Sequence, residues 1–456
     1  MKGARMSTRS FLFRSYYKLR GSKVLDYYDE FKKSQYLTRD ELIRNQEKQL
    51  KRMIEFVYEN VPYYKKLFKS LSISPDDINK VEDLQKLPIL TKREIKRNWE
   101  DFFPQNLNSI RYIKGKTGGS TGEPFKYRMS LEDYERGIAL LYRGWGFAGY
   151  QLGDKVAVIG GSSLVPSLRF SMKRKIQESL LNFRYYSSFD MSEENLLRYI
   201  EDMNCWNPKF IRGYASSIYL MAKFIEQNRI TLSFVPKAIF STAEKLTFKM
   251  RESIERVFKT QVFDNYGLND GGISAYECEQ HNGLHIDTER AILEVVDESG
   301  KQLKEGEGKI LATSLYNFAM PLIRYDTGDI GIISSEFCKC GRASYLLKGL
   351  VGRSQEFVVS SLGSKVHGEF FTHIFWEIDN VKQFQVIQEN VGEVLINIVP
   401  DDWDHIDRID VKKITKILEN KGFKVSIKLV NEESLSYTSG GKYKFVINKL
   451  SDYNES

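Results

Sequence analysis

The chain has 456 residues, 41% hydrophobic and 28% charged, the make-up of an ordinary soluble globular protein with two or three domains. It contains no run of about 18 apolar residues that could span a membrane, its 32 Gly and 10 Pro exclude collagen-like or low-complexity chains, and its four cysteines exclude a disulfide framework. The net charge of +8 is concentrated in residues 1–23, where Lys2, Arg5, Arg9, Arg14, Lys18, Arg20 and Lys23 meet no acid. Without that arm the chain carries 61 basic against 60 acidic residues, which speaks against nucleic acid as a partner.

Residues 1–35 form a basic arm in which Phe11, Leu12, Phe13, Tyr16 and Tyr17 interleave with the bases. Three readings stay open: weak contact with an anionic membrane surface through residues 1–23, a transit peptide, or a solvated tail leading into a packing helix. No apolar segment with a cleavage site follows, so the expected location is cytoplasmic, with peripheral contact at the inner membrane face as the alternative. Residues 40–60 predict a helix, with Leu50, Met53, Ile54 and Val57 on one face and a break near Pro62. From about 110 onward, short β-branched runs such as Val156–Ile159, Ala238–Phe240 and Val262–Phe263 alternate with helical stretches such as Ser217–Gln227. That alternation predicts an α/β fold with layered, mostly parallel sheets. Beyond about 285 the pattern becomes strand-rich (AILEVV, KILATSL, DIGIISS). A last segment reading strand, strand, helix, strand predicts a small α+β domain over 353–456, after a large domain over 36–352.

Three motifs bear on chemistry. Thr117, Gly118, Gly119, Ser120, Thr121 and Gly122 pack glycines and hydroxyls into one turn, where backbone N–H and O–H groups can approach an anion. The turn does not fit the G-x-x-x-x-G-K-[ST] pattern, because Ile110 stands where the first Gly is needed. Gly144-x-Gly146-x-x-Gly149 matches a dinucleotide fingerprint in letters only, since it follows a helix and precedes a strand. Finally Cys278-x-x-His281 and Cys338-x-Cys340 form two pairs of soft or borderline ligands, which suits a tetrahedral structural Zn²⁺; the alternative is a set of idle buried thiols. His285 is a substitute ligand.

Taken in order, further segments resemble the adenylate-forming (acyl-CoA synthetase and ligase) superfamily. They are the turn at 117–122, Ser241-Thr242-Ala243-Glu244, Asp264-Asn265-Tyr266-Gly267-Leu268-Asn269-Asp270, Tyr325-Asp326-Thr327-Gly328-Asp329, Gly352-Arg353-Ser354 and Ser439-Gly440-Gly441-Lys442. VPYY near 62, GYASS at 213–217, CKCGR at 338–342 and GGKYKFVI at 440–447 look most like the phenylacetate-CoA ligase branch, and within it the capsular-polysaccharide-biosynthesis ligase-like subgroup.

The resemblance implies an ATP-dependent ligase that activates a small carboxylic acid as acyl-adenylate and passes the acyl group to a thiol, coenzyme A first among candidates. Its alternatives are transfer to a sugar amine or carrier protein in surface-polysaccharide biosynthesis, or a nucleotide-binding relative without catalysis. A homodimer is left open. By resemblance, the loop 117–122, Ala243, Glu244, Asn265, Tyr266, Asn269, Asp329 and Arg353 would bind ATP, with Tyr266 stacked on adenine and Asp329 accepting from the ribose hydroxyls. Asp270 would hold Mg²⁺, and Lys442 would neutralise charge on the transferring phosphoryl group. The family usually has Thr or Ser at Asn269 and Glu at Asp270. The acyl pocket would be walled by 213–219 and 266–273, fit for an aromatic or small aliphatic acid, and the small domain would turn about Gln355.

Overall fold

The computed structural model describes residues 8–116, 125–161, 172–188, 191–351, 357–376, 378–436 and 445–450. Helices α1 (Thr8–Leu19) and α2 (Val24–Ser34) bury Phe13, Tyr17, Tyr28 and Phe31 in a cluster with Tyr142 and Trp145. Tyr17 Oη and Tyr142 Oη share a 2.7 Å hydrogen bond. Rings of this size remove large apolar areas from water, so the described part of the basic arm is a packing helix.

Helix α3 (Arg39–Asn60) starts on a capping box between Thr38 and Glu41 and buries Leu50, Met53, Ile54 and Val57, as their spacing predicts. Pro62 opens the next helix, α4 (Pro62–Leu71), at the position where a missing N–H is harmless. A short helix α5 (Lys92–Arg97) and a hairpin, β1 (Tyr112–Lys116) with β2 (Lys126–Ser130), lead into α6 (Leu131–Gly146).

The chain then alternates through β3 (Val156–Gly160), α7 (Met172–Leu181), β4 (Phe183–Ser187), α8 (Glu193–Trp206), β5 (Phe210–Tyr214), α9 (Ala215–Gln227), β6 (Ala238–Thr242), α10 (Phe248–Phe258) and β7 (Val262–Leu268). These strands pair in parallel in the order β4-β3-β5-β6-β7. Alternation along β5 sets the layers: Phe210 packs with Trp145 of α6 on one face, and Ile211 packs with Ile218 and Met221 of α9 on the other. Gly144–Gly149 thus runs from a helix towards β3, the wrong order for a dinucleotide loop.

The strand-rich segment supplies β8 (Ile273–Glu277), β9 (Leu284–Ile286), β10 (Ala291–Val296), β11 (Gln302–Leu303), β12 (Gly306–Ser314), β13 (Tyr325–Ser334) and β14 (Leu346–Val351). They extend the same sheet in the order β7-β8-β9-β14-β13-β12-β10-β11, and every pair in this half is antiparallel. The parallel expectation therefore holds for the α/β half, while short loops join the rest without crossover helices.

Beyond it come β15 (Phe357–Val359), β16 (Lys365–His367), α11 (Gly368–Trp376), β17 (Val381–Gln388), β18 (Glu393–Pro400), α12 (Val411–Glu419), β19 (Lys424–Leu429) and β20 (Val446–Asn448). Four of them form a sheet in the order β19-β18-β17-β20. Phe371, Phe384, Ile396, Ile414 and Leu418 fill its core, which among the described residues draws only on positions 358 to 446. No described helix is long and apolar enough to cross a membrane.

Candidate active site

Strands β5, β6 and β7 end side by side, and their carboxyl ends hold the first group of predicted residues. After Ser241 and Thr242 of β6, Ala243 adopts a left-handed backbone (φ +67). That conformation costs an alanine about 1–2 kcal/mol. The turn is held by the next residue, since Glu244 Oε2 accepts from the Ser216 backbone N–H at 2.8 Å and from the Ser216 hydroxyl.

One strand over, the Tyr266 hydroxyl donates to Asp329 Oδ2 at 3.0 Å. Burial, with Asp329 beside it, pushes that phenol well above its ordinary range. Asp329 sits in a built turn: Thr327 Oγ1 donates to Ile310 O at 2.8 Å and accepts from the Asp329 N–H at 3.1 Å. Gly328 supplies the positive φ (+78), and its N–H goes to Asp326 Oδ1. Asp326 therefore does the capping in this turn, and Asp329 faces Tyr266.

Asp270 is buried and accepts from the Tyr325 hydroxyl at 2.7 Å through Oδ2, while its buried Oδ1 has no hydrogen-bond partner. Burial pushes this carboxyl up, against the pull of Lys92. A hard carboxylate oxygen left open in a buried place fits a Mg²⁺ ligand. Asn269 beside it is exposed.

Sequence reasoning passed over Asp264. It lies two residues before Tyr266, hence on the same face of β7, and it lines a cavity of about 410 Å³ with Lys245, Glu277, His281, Ile332 and Lys348. Period-two counting back from Tyr266 would have found it. The same alternation turns Asn265 to the other face of β7, towards α6.

Burial, with Glu277 nearby, pushes the Asp264 carboxyl up to about 7, against Arg251 and Ser241. A folded pKa above the ordinary 3.8 means that the fold holds the proton more tightly. Its contribution is complete below the unfolded pKa and is lost as pH rises through about 7. Asp264→Asn, which mimics the protonated acid, should gain stability over the parent protein as pH goes from about 5 to about 8. Denaturant midpoints at the two pH values measure this.

The second group is a cluster of soft donors. The ligand atoms of Cys278, His285, Cys338 and Cys340 all lie within 4.8 Å of one another. Cys278 Sγ is 3.6 Å from Cys338 Sγ, and Cys340 Sγ is 3.2 Å from His285 Nε2. The three cysteines are free thiols. Burial, Arg342 and Arg143 push the His285 imidazole down to about 4, which keeps it neutral, and Ser344 Oγ holds its Nδ1 at 3.3 Å. A neutral, oriented imidazole beside three thiols matches a Cys₃His zinc set.

Among the described residues the histidine that joins the three cysteines is His285, where the spacing of the sequence pointed to His281. In the β8–β9 hairpin Tyr276 pairs with His285, which brings His285 back beside Cys278. His281 lies at the turn (φ +48), tilted against Phe263, with Nδ1 3.2 Å from Glu277 Oε1. Thr117, Gly118, Gly119, Ser120, Thr121, Gly122, Arg353, Gln355 and Lys442 lie outside the described residues.

Comparison with known proteins bears on the whole arrangement. The CapK C-terminal domain family matches residues 358–449. Protein CapK of Staphylococcus aureus is 27% identical over 93% of this chain and 92% of its own. A phenylacetate-coenzyme A ligase of Thermus thermophilus is 23% identical over 90% of this chain and 97% of its own. Among solved structures, 2-hydroxyisobutyryl-CoA ligase with 2-HIB-AMP and CoA in the thioesterification state shares the fold, with a TM-score of 0.60 over 92% of each chain at 16% identity. The chain is thus a homologue of CapK and of the phenylacetate-coenzyme A ligases, with a CapK-like C-terminal domain and the fold of an acyl-CoA ligase.

Proposed function

We propose that this acid-CoA ligase-like enzyme joins ATP and a carboxylic acid into an acyl-adenylate, then passes the acyl group to the thiol of coenzyme A. In the first step a carboxylate oxygen bonds to the α-phosphorus and pyrophosphate leaves. In the second a thiolate attacks the acyl carbon and AMP leaves. The observation that supports this reading is the Ala243 turn at the end of β6 beside β7, whose Asp264 lines a cavity of about 410 Å³ and whose Tyr266 is hydrogen-bonded to Asp329 of β13.

In this reading Tyr266 offers its ring to adenine, and Asp264 accepts from the exocyclic amine. Asp329 accepts from ribose hydroxyls. Asp270 would hold Mg²⁺, which when bound screens phosphate charge. Lys442 and the turn at 117–122 would meet the phosphates, carried there by turning the 353–456 domain about Gln355. Its self-contained core is consistent with such movement.

ATP–pyrophosphate exchange over a panel of acids tests the first step, and thioester formation with added CoA tests the second. Exchange without thioester would leave adenylation standing and point to another acceptor. No exchange with any acid would overturn the reading.

Cys278, His285, Cys338 and Cys340 are proposed to hold one structural Zn²⁺, which would pin the β8–β9 hairpin to the loop before β14. Purified protein should contain about one zinc per chain, His285→Ala should lose most of it, and His281→Ala should keep it. Metal analysis of the three proteins decides.

A further inference from the structure

Among the described residues the buried guanidiniums stand beside carboxylates. Arg143 meets Asp287 and Glu289, Arg290 meets Asp133, and Arg324 meets Glu294. Among the described residues Arg212 meets no carboxylate: it lies at mid-strand in β5, half-buried, with its Nε buried and without a hydrogen-bond partner. Its surroundings are aromatic. The guanidinium carbon is 5.3 Å from the centre of the Trp145 ring, and Tyr276, Tyr185, Tyr142 and Tyr214 are its electrostatic neighbours. Leaving a buried donor of a guanidinium without a partner is unfavourable.

The place of Arg212 says what could supply the anion. It shares the α6 face of the sheet with Phe210 and with its register partners Val158 and Phe240. Asn265 lies on that face too, paired with Tyr276, and its Oδ1 is a second buried polar atom without a partner. Helix α6 covers this face closely, since a Cβ at Gly144 would stand 2.3 Å from the Tyr276 ring. Asp264 and Tyr266 serve the opposite face of the same strand end. A nucleotide on their side leaves the Arg212–Asn265 side for the acid, whose reacting carboxylate must meet the α-phosphate at the strand ends. Arg212 and Asn265 also immediately precede the two segments, 213–219 and 266–273, expected to wall the acyl pocket.

We propose that the acid activated here carries a second carboxylate, received by the Arg212 guanidinium, and a hydroxyl or amine that donates to Asn265 Oδ1. This rests on the adenylate-forming reading above and replaces the aromatic or simple aliphatic acid with a polar dicarboxylic one. An apolar acyl chain would leave both polar groups unpaired. A site built to bond polar groups rejects ligands that lack them far more strongly than an apolar pocket rejects extra ones.

The test is ATP–pyrophosphate exchange by the full chain with Mg²⁺, using length-matched acids: succinate, glutarate and malate against butyrate, valerate and phenylacetate. The dicarboxylates should exceed the monoacids about 100-fold or more in kcat/KM, with malate above succinate. Arg212→Met should bring that ratio close to one with the KM for ATP unchanged, and Arg212→Lys should keep part of it. Butyrate or phenylacetate exchanging as well as the dicarboxylates would overturn the proposal and leave the ligase reading intact. So would an Arg212→Met effect confined to ATP, which would assign the guanidinium to the nucleotide. No exchange with any acid would overturn both. Should Arg212→Met fail to fold, the parent protein's panel decides alone.

Discussion

Lys442→Ala is expected to slow acyl-adenylate formation at least about 100-fold, the scale of losing one preorganised contact to developing charge. Transfer of the acyl group from pre-made acyl-adenylate to CoA should continue near the parent rate. The asymmetry follows from electrostatics. In the first step a carboxylate approaches a triphosphate, so two anions must meet, and an ammonium on the α-phosphoryl oxygens offsets their repulsion. In the second step the phosphate departs as AMP and the attacking thiolate meets a carbonyl carbon, where that ammonium has little to do. Separate assays of exchange and of thioester formation measure the two steps. Equal losses in both would show that the lysine belongs to something other than phosphoryl transfer.

Arg324→Met should cost about 3–5 kcal/mol of folding stability, the range for leaving one member of a buried ion pair alone. Arg324 precedes Tyr325 in a left-handed conformation (φ +51) and ties three segments together. Its Nη1 donates to Leu87 O at 2.9 Å, its Nη2 to Gly300 O at 2.7 Å, and its Nε stands 3.3 Å from Glu294 Oε1. Glu294 is completely buried, and even with this partner burial pushes its carboxyl up to about 7. Without the guanidinium the carboxyl rises further. The penalty should therefore be larger at about pH 8 than at about pH 5, because a raised folded pKa means stability lost as pH rises. Arg324→Met combined with Glu294→Leu should recover a large part of the loss. Urea titrations of both variants at the two pH values check it, and a pH-independent loss without recovery would deny the pair its role.

The α/β class, most strands of the parallel half and the helices α3 and α9 were legible because their apolar spacing is regular over five or more residues. Motif order drew attention to Ala243, Glu244, Tyr266, Asp270 and Asp329, of which Tyr266 and Asp329 are hydrogen-bonded to each other. What escaped was information that exists only once side chains have a direction. Asp264 and Asn265 are adjacent letters, and only the phase of β7 sends one to the cavity and the other towards α6. His281 is closer to Cys278 in sequence than His285, but the hairpin register makes the more distant histidine the nearer one in space. Arg212 within FIRGY reads as one base among many, and its isolation appears only against the paired arginines around it. The aromatic residues of the basic arm had three readings because composition does not reveal what a ring packs against.

The last strand of the small sheet carries a consequence of its own. Val446–Asn448 is zipped in parallel to Val386–Gln388, and Lys442 precedes it by four residues. A stretched backbone of that length spans roughly 14 Å, so the ammonium is on a short leash anchored to a rigid plate. If Lys442 serves a phosphate as proposed, its arrival there would be timed by movement of the plate, with chain diffusion contributing little.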